Sequence, residues 1–271
     1  MTVDLGEYET DKTSDYLERY RLEFGHLFEQ PIRMLELGVQ RGGSMYLWRD
    51  LLPTAQIAGL DLNPIRLEDE SGRLHLYQGF QQDTAVLDRI AADVAPDGFD
   101  VIIDDASHVG AYTEVSFWHM FRHHLKPGGI YVLDDWGSGY WSDWTDGHAY
   151  TGTREALGDR GNESAEVPSG PSVSRVERAR RSLRRSARPL AARLPPAIRQ
   201  GLERTYMAME GATMRRRFKS HDYGMVGFVK QLVDACGVHD IDRGRGPFNN
   251  GIETVHVYPS QVFVHKAAPT S

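Results

Sequence analysis

Apolar positions along this chain follow two rhythms. Up to about residue 30 they recur near helical spacing, through Tyr16, Tyr20, Phe24, Leu27 and Phe28, which predicts a helical lead over 1–30. From Ile32 onward, short apolar runs alternate with amphipathic stretches. Strands are predicted at 33–38, 56–61, 73–78, 99–104 and 129–134, and helices at 44–52, 84–94 and 112–125. Such alternation implies an α/β fold, a mostly parallel sheet with helices on both faces.

The rhythm breaks after Asp135. Residues 137–171 are rich in Gly, Ser, Trp and Asp without periodicity and read as loop. A helix at 222–236 and one long strand at 254–265 then resume the core pattern. The expected organisation is a single domain over 1–271, with a core at 31–135, an insertion at 136–220 and the end of the core at 221–268.

Charge sharpens that division. The net charge is −7, yet 173–219 carries +11, which leaves −18 on the remainder. Within this basic arm, Val173, Val176, Leu183, Ala187, Leu190 and Leu194 lie near helical spacing among arginines. A basic amphipathic stretch of this kind reads as a mobile lid, a docking element for anionic lipid, or a self-association element. No nucleic-acid motif accompanies it, so nucleic acid is not an expected partner. Cys236 is the only cysteine, which excludes an intrachain disulfide or a thiolate cluster. The N-terminal residues lack the basic-then-apolar order of a signal peptide, and no apolar run approaches the roughly 18 residues of a membrane span. The expected location is cytoplasmic, with peripheral contact at the inner membrane surface as the arm's contribution.

The chemistry concentrates at two predicted strand ends. Asp104-Asp105 closes the fourth strand and runs on to Ala106-Ser107-His108, and Asp134-Asp135 closes the fifth. Buried charge is costly unless compensated, and ligands bind at the carboxyl rim of open α/β sheets. Up to four carboxylates and one imidazole are therefore expected at one rim. Oxygen-only ligands suit magnesium, manganese or calcium, and Asp105, Asp134 and Asp135 fit a magnesium-like count. His108, with an ordinary pKa near 6.5, can accept a proton at neutral pH. The bland alternatives are helix caps for the acids and a hydrogen-bonding cap for His108. Trp136, Tyr140, Trp141 and Trp144, which follow, can pack against sugar faces or simply fill a loop core. Upstream, Leu35-Glu36-Leu37-Gly38-Val39-Gln40-Arg41-Gly42-Gly43-Ser44 marks a close backbone approach to a ligand. Asp61 ends the second strand, placed for a ribose diol or for an ordinary turn.

Together these residues resemble class I S-adenosylmethionine-dependent methyltransferases. Within that class they resemble the metal-dependent macrolide-sugar and rhamnosyl O-methyltransferases and cephalosporin-hydroxylase-like proteins. The resemblance spans Thr10-Asp11-Lys12 and the stretches 35–44, 99–108, 128–141 and 251–266, and excludes the basic arm. It implies a Rossmann-like methyltransferase fold with a terminal antiparallel strand, and S-adenosyl-L-methionine held among Glu36, Gly38, Ser44, Asp61 and Asp104. Phe80 stands where the family often has an acid, so Gln81 is the candidate at the adenine end. The resemblance also assigns Mg2+ or Mn2+ to Asp105, Asp134 and Asp135, although relatives often have Glu at position 134, and base duty to His108. The expected reaction is O-methylation of a deoxysugar or other glycosyl hydroxyl on a natural product or glycolipid, by a homo-oligomer. Two rival readings are an enzyme or subunit of the cephalosporin-hydroxylase-like type with a small non-sugar acceptor, and a non-catalytic cofactor-binding component of a glycan pathway.

Overall fold

The computed structural model describes residues 4–141, 143–149, 222–241, 243 and 250–268. All of them belong to one unit, built from Met1–Tyr150 and Asp222–Ser271. The basic arm and most of the expected insertion lie outside the described residues. Among those described, no helix is long and apolar enough to cross a membrane.

Seven strands form one sheet: β1 (Arg33–Leu37), β2 (Gln56–Asp61), β3 (Leu74–Gln78), β4 (Phe99–Asp104), β5 (Leu125–Asp134), β6 (Ile252–Val257) and β7 (Gln261–Lys266). Their order is β3-β2-β1-β4-β5-β7-β6. Neighbours from β3 to β5 pair in parallel, whereas β7 runs antiparallel to both β5 and β6. The long strand expected at 254–265 is therefore a hairpin, broken at Tyr258-Pro259-Ser260, where Ser260 adopts a positive φ of 64°. Proline cannot donate to the strand ladder, which favours a break there.

Helices α1 (Ser14–Phe24) and α2 (Gly43–Leu51) cover one face of the sheet. On the other lie α3 (Thr84–Val94), α4 (Gly110–His123) and α5 (Gly224–Cys236). The first face buries Tyr20, Phe24, Met34, Trp48, Val101, Ile103 and Val132 together. The second buries Leu35, Leu37, Leu87, Ile102, Phe117, Phe121, Tyr131 and Phe228. Each fully buried large side chain of this kind contributes roughly 1.5–3 kcal/mol. Successive strand residues point to opposite faces, so β1, β4 and β5 each feed both layers. That alternation decides where every strand-end acid goes.

Candidate functional site

The turn after β1 passes very close to the turn after β4. Gly38 has a φ of +83°, and a Cβ there would lie 2.2 Å from the Asp105 carbonyl oxygen, so no other residue fits without displacing backbone. Asp61 ties the same turn from the other side. Its Oδ2 accepts from the Val39 and Gln40 amides at 3.1 and 2.9 Å, while Oδ1 accepts from Asn63 N at 2.8 Å. The turn therefore presents a set backbone surface, flanked by a carboxylate, to whatever lies above it.

Strand alternation splits each aspartate pair. Asp104 turns into the α3–α4 layer, where Ser116 Oγ and the Tyr131 hydroxyl donate to it at 2.9 and 3.0 Å. Burial raises its pKa to about 6 against those stabilising hydrogen bonds. Gln81 Nε2 also donates to Asp104 at 3.1 Å, and Gln81 Oε1 accepts from the Ser107 amide at 3.0 Å. Asp104 thus braces Gln81 and the turn carrying Ser107 and does not line the cavity.

Glu36 and Asp134 turn the opposite way, into the α1–α2 layer, and there they meet Lys12. Its ammonium lies 3.2 Å from Glu36, 2.8 Å from Asp105 and 3.1 Å from Asp134, with the lysine side chain only 1% exposed. Burial acts to lower the Lys12 pKa, but the surrounding acids and Tyr20 win and raise it well above normal. Glu36 further accepts from Ser44 Oγ at 2.6 Å and Trp48 Nε1 at 3.2 Å. The Tyr20 hydroxyl and Gln261 Nε2 complete the shell of Asp134. One cation facing three acids leaves excess negative charge. Burial, with the charges of Asp134 and Glu36, pushes Asp105 well above the usual carboxylate range, against the pull of Lys12.

The rim itself holds Asp105, His108 and Asp135, whose potential ligand atoms all lie within 4.8 Å of one another. Asp135 takes a positive φ of 54° and accepts from the Tyr16 hydroxyl. His108, also at positive φ (51°), is buried, with Nε2 3.7 Å from Asp105 Oδ1 and its ring 5.1 Å from that of Trp144. Burial lowers its pKa, outweighing the opposing charges of Asp135 and Asp134, so the imidazole is neutral at neutral pH. Up to four acids were expected at this rim. Two reach it, because in each pair one residue belongs to the strand and faces a packed layer.

Above this floor lies a cavity of about 910 Å³, bordered by Gly38, Ser44, Asp61 and Gln81 at one end and by Asp105, His108 and Asp135 at the other. Glu36, Asp104 and Asp134 stand behind its wall. Phe80, Tyr112, Trp141 and Trp144 also face it, whereas Trp136 Nε1 donates instead to the Tyr258 carbonyl at 2.9 Å. The wall after β5 is held by Asp146, whose Oδ2 accepts from the Gly110 and Met225 amides at 2.8 and 2.7 Å, at the first turns of α4 and α5. Sequence reasoning assigned no site role to Lys12, Tyr16, Tyr20 or Asp146. The available signals were a lysine in an acid-rich N-terminal stretch and two tyrosines at i,i+4 spacing on the leading helix.

The carboxylate floor fits a divalent cation on its own terms, through an oxygen-rich rim and uncompensated negative charge beneath it. No protein-family model matches the chain. Mycinamicin VI 2''-O-methyltransferase of Micromonospora griseorubida is 38% identical over 133 residues, covering 46% of this chain and 32% of that protein. A tetracenomycin rhamnosyl 3'-O-methyltransferase of Streptomyces olivaceus is 34% identical over 169 residues, covering 57% and 41%. The crystal structure of MycE methyltransferase of mycinamycin biosynthesis, in complex with Mg and SAH, superimposes with a TM-score of 0.62 at 24% identity, covering 99% of this chain and 55% of that one. The chain thus spans well under two thirds of the length of these relatives, and its fold is the Rossmann-like methyltransferase fold.

Proposed function

We propose that this chain, a relative of macrolide- and glycoside-tailoring O-methyltransferases, is an S-adenosyl-L-methionine- and divalent-metal-dependent O-methyltransferase. Its acceptor is a hydroxyl of a deoxysugar or other glycosyl group on a natural product or glycolipid. One observation carries this reading: a single cavity runs from the glycine turn and Asp61 to the Asp105–His108–Asp135 rim.

In this reading Gly38, Ser44 and Asp61 border the cofactor, with Gln81 closing the wall beside it. Glu36 and Asp104 act indirectly, by fixing Ser44 and Gln81 through the hydrogen bonds described. Asp105 and Asp135 hold Mg2+ or Mn2+, and Asp134 supports them from below, bound to the lysine that also holds Asp105. Bound S-adenosylmethionine supplies an activated methyl group together with its own leaving group, and bound metal supplies Lewis acidity toward a neighbouring hydroxyl. His108 accepts the proton of the acceptor hydroxyl, a role for which a neutral imidazole facing the cavity is suited. Trp141 and Trp144 offer aromatic faces to the sugar ring. Alignment of hydroxyl and methyl group is worth roughly 7–11 kcal/mol when reacting atoms are well placed.

The +11 charge of 173–219 supports a further element of the same reading, contact of a cytoplasmic enzyme with the anionic inner membrane surface. Those residues lie outside the described ones.

The deciding experiment is methyl transfer from radiolabelled cofactor to a panel of glycosides, with magnesium and with chelator, alongside calorimetric titration of S-adenosylhomocysteine. Cofactor binding with metal-dependent glycoside methylation is the expected result. Binding with no turnover on any acceptor would make the chain a cofactor-holding component, and absence of binding would overturn the reading.

A further inference from the structure

A second cluster of ligand-type side chains lies away from the rim. Glu23, in the last turn of α1, is only 8% exposed. Three groups from the β6–β7 hairpin converge on its carboxylate. His256 Nδ1 and His265 Nε2 lie 2.9 and 3.0 Å from the same oxygen, Oε2, while the Tyr258 hydroxyl donates to Oε1 at 2.6 Å. The register opposes His256 to Phe263 and Thr254 to His265, which puts both imidazoles on one face of the hairpin, with ring centroids 4.8 Å apart. His265 pairs with Ile130, whereas Gln261 at the other end of β7 pairs with Asp134, so this cluster and the carboxylate rim occupy opposite ends of that strand.

The geometry points to a binding site for a divalent transition ion of the zinc class, held by Glu23, His256 and His265, with Tyr258 steadying the carboxylate. Two imidazole nitrogens and one carboxylate oxygen form a donor set that suits zinc, nickel, cobalt or copper and suits magnesium or calcium poorly. Zinc binds such atoms at about 2.0–2.2 Å in tetrahedral geometry, which places ligand atoms about 3.3 Å apart. The two imidazole-to-carboxylate separations fall within a few tenths of an ångström of that spacing. Without an ion, each imidazole must carry its proton on the nitrogen facing Glu23; an ion replaces both protons. Tyr258 holds the second carboxylate oxygen, the kind of support that orients a metal ligand. His256 is 44% exposed, which leaves a path for the ion and room for water as a fourth ligand.

Burial works to raise the Glu23 pKa, but the hydrogen bonds from Tyr258, His256 and His265 hold it below normal, so the carboxylate is ready to ligate at neutral pH. A similar group at Asp88, His119 and His124 is less preorganised, since Asp88 is 55% exposed on a helix surface. Rigid strands on one side and a buried acid on the other distinguish the Glu23 cluster.

The test is calorimetric titration of the full chain with zinc chloride in excess magnesium, paired with the visible spectrum of the cobalt form. The parent protein should bind zinc at this cluster and show the absorption of a nitrogen-ligated cobalt centre. His256→Ala and His265→Ala should each weaken that binding at least about tenfold, the scale on which even supporting residues tune a metal site. The double variant should lose one equivalent, and Asp88→Asn should lose none. His256→Ala alters an exposed side chain, so it decides the matter even if Glu23→Gln fails to fold. No zinc binding at millimolar concentration, an unchanged stoichiometry in the histidine variants, or loss of the equivalent in Asp88→Asn would each overturn the site.

Discussion

Lys12 and Asp134, 122 residues apart in sequence, form an ion pair of 3.1 Å sealed between the leading helix and the end of the fifth strand. Lys12 is the cation that the surrounding acids Glu36, Asp105 and Asp134 share, so removing it leaves their buried charge without compensation. Lys12→Met should destabilise the protein by about 3–5 kcal/mol, the usual effect of breaking a buried pair. Urea denaturation measures it; an unchanged midpoint would show the ammonium to be dispensable.

The split of the aspartate pairs separates two kinds of variant. Asp105→Ala and Asp135→Ala should abolish metal-dependent turnover while the chain stays folded. Asp134→Asn should lower the unfolding midpoint yet keep a requirement for magnesium or manganese, because Asp134 faces lysine and tyrosine and not the cavity. Turnover at full rate in excess chelator would rule out the metal altogether.

His108→Ala should reduce turnover by roughly 10²–10⁴-fold with little change in cofactor affinity. Since burial lowers the His108 pKa, the parent's rate should rise with pH as the imidazole loses its proton, with a midpoint below that of free histidine. A pH–rate profile lacking this limb, or near-normal turnover in the alanine variant, would reduce His108 to a cap.

Asp104 predicts a stability effect with the opposite sign to most carboxylates. Its folded pKa of about 6 exceeds the ordinary aspartate value of 3.8, so the folded state holds the proton more tightly. The resulting stabilisation is complete below pH 3.8 and is lost as pH rises toward 6, about 3 kcal/mol in all at 1.36 kcal/mol per unit. Asp104→Asn should flatten this part of the stability–pH curve relative to the parent. A difference curve without slope between those pH values would contradict the burial argument.

The basic stretch yields a prediction independent of the cavity. The full chain should bind vesicles containing anionic lipid, and binding should weaken as salt rises, because charge is screened within about 8 Å at physiological ionic strength. Deleting 172–200 should abolish that binding and leave methylation of a small soluble acceptor largely intact. Loss of both would make the stretch a lid.

Strand and helix positions were legible because burial on two faces imposes periods of about two and 3.6 residues on the apolar pattern. Strands 56–61 and 99–104 and helix 84–94 match the structure residue for residue. The face taken by each acid of a pair was not legible, since it depends on where the strand ends relative to its neighbours. The register with β4 ends at Leu133, opposite Asp104, while that with β7 carries Asp134 within the sheet, opposite Gln261, and leaves Asp135 beyond it. The role of Lys12 was hidden for a different reason: the acids it pairs with are not its sequence neighbours but arrive from three separate strand ends. The hairpin was missed although Pro259 marked its turn.

Asp146 accepts from the first turns of two helices at once, and one of them begins where the chain re-enters the core at Gly224. A Cβ at Gly224 would lie 2.4 Å from that carboxylate, so the clasp depends on glycine there. The departure and return points of the polypeptide are thereby pinned beside each other by a single side chain. Once such ends are joined, each doubling of the intervening length adds only about 0.6 kcal/mol of closure entropy. The closure cost therefore sets little limit on the length of chain between those points.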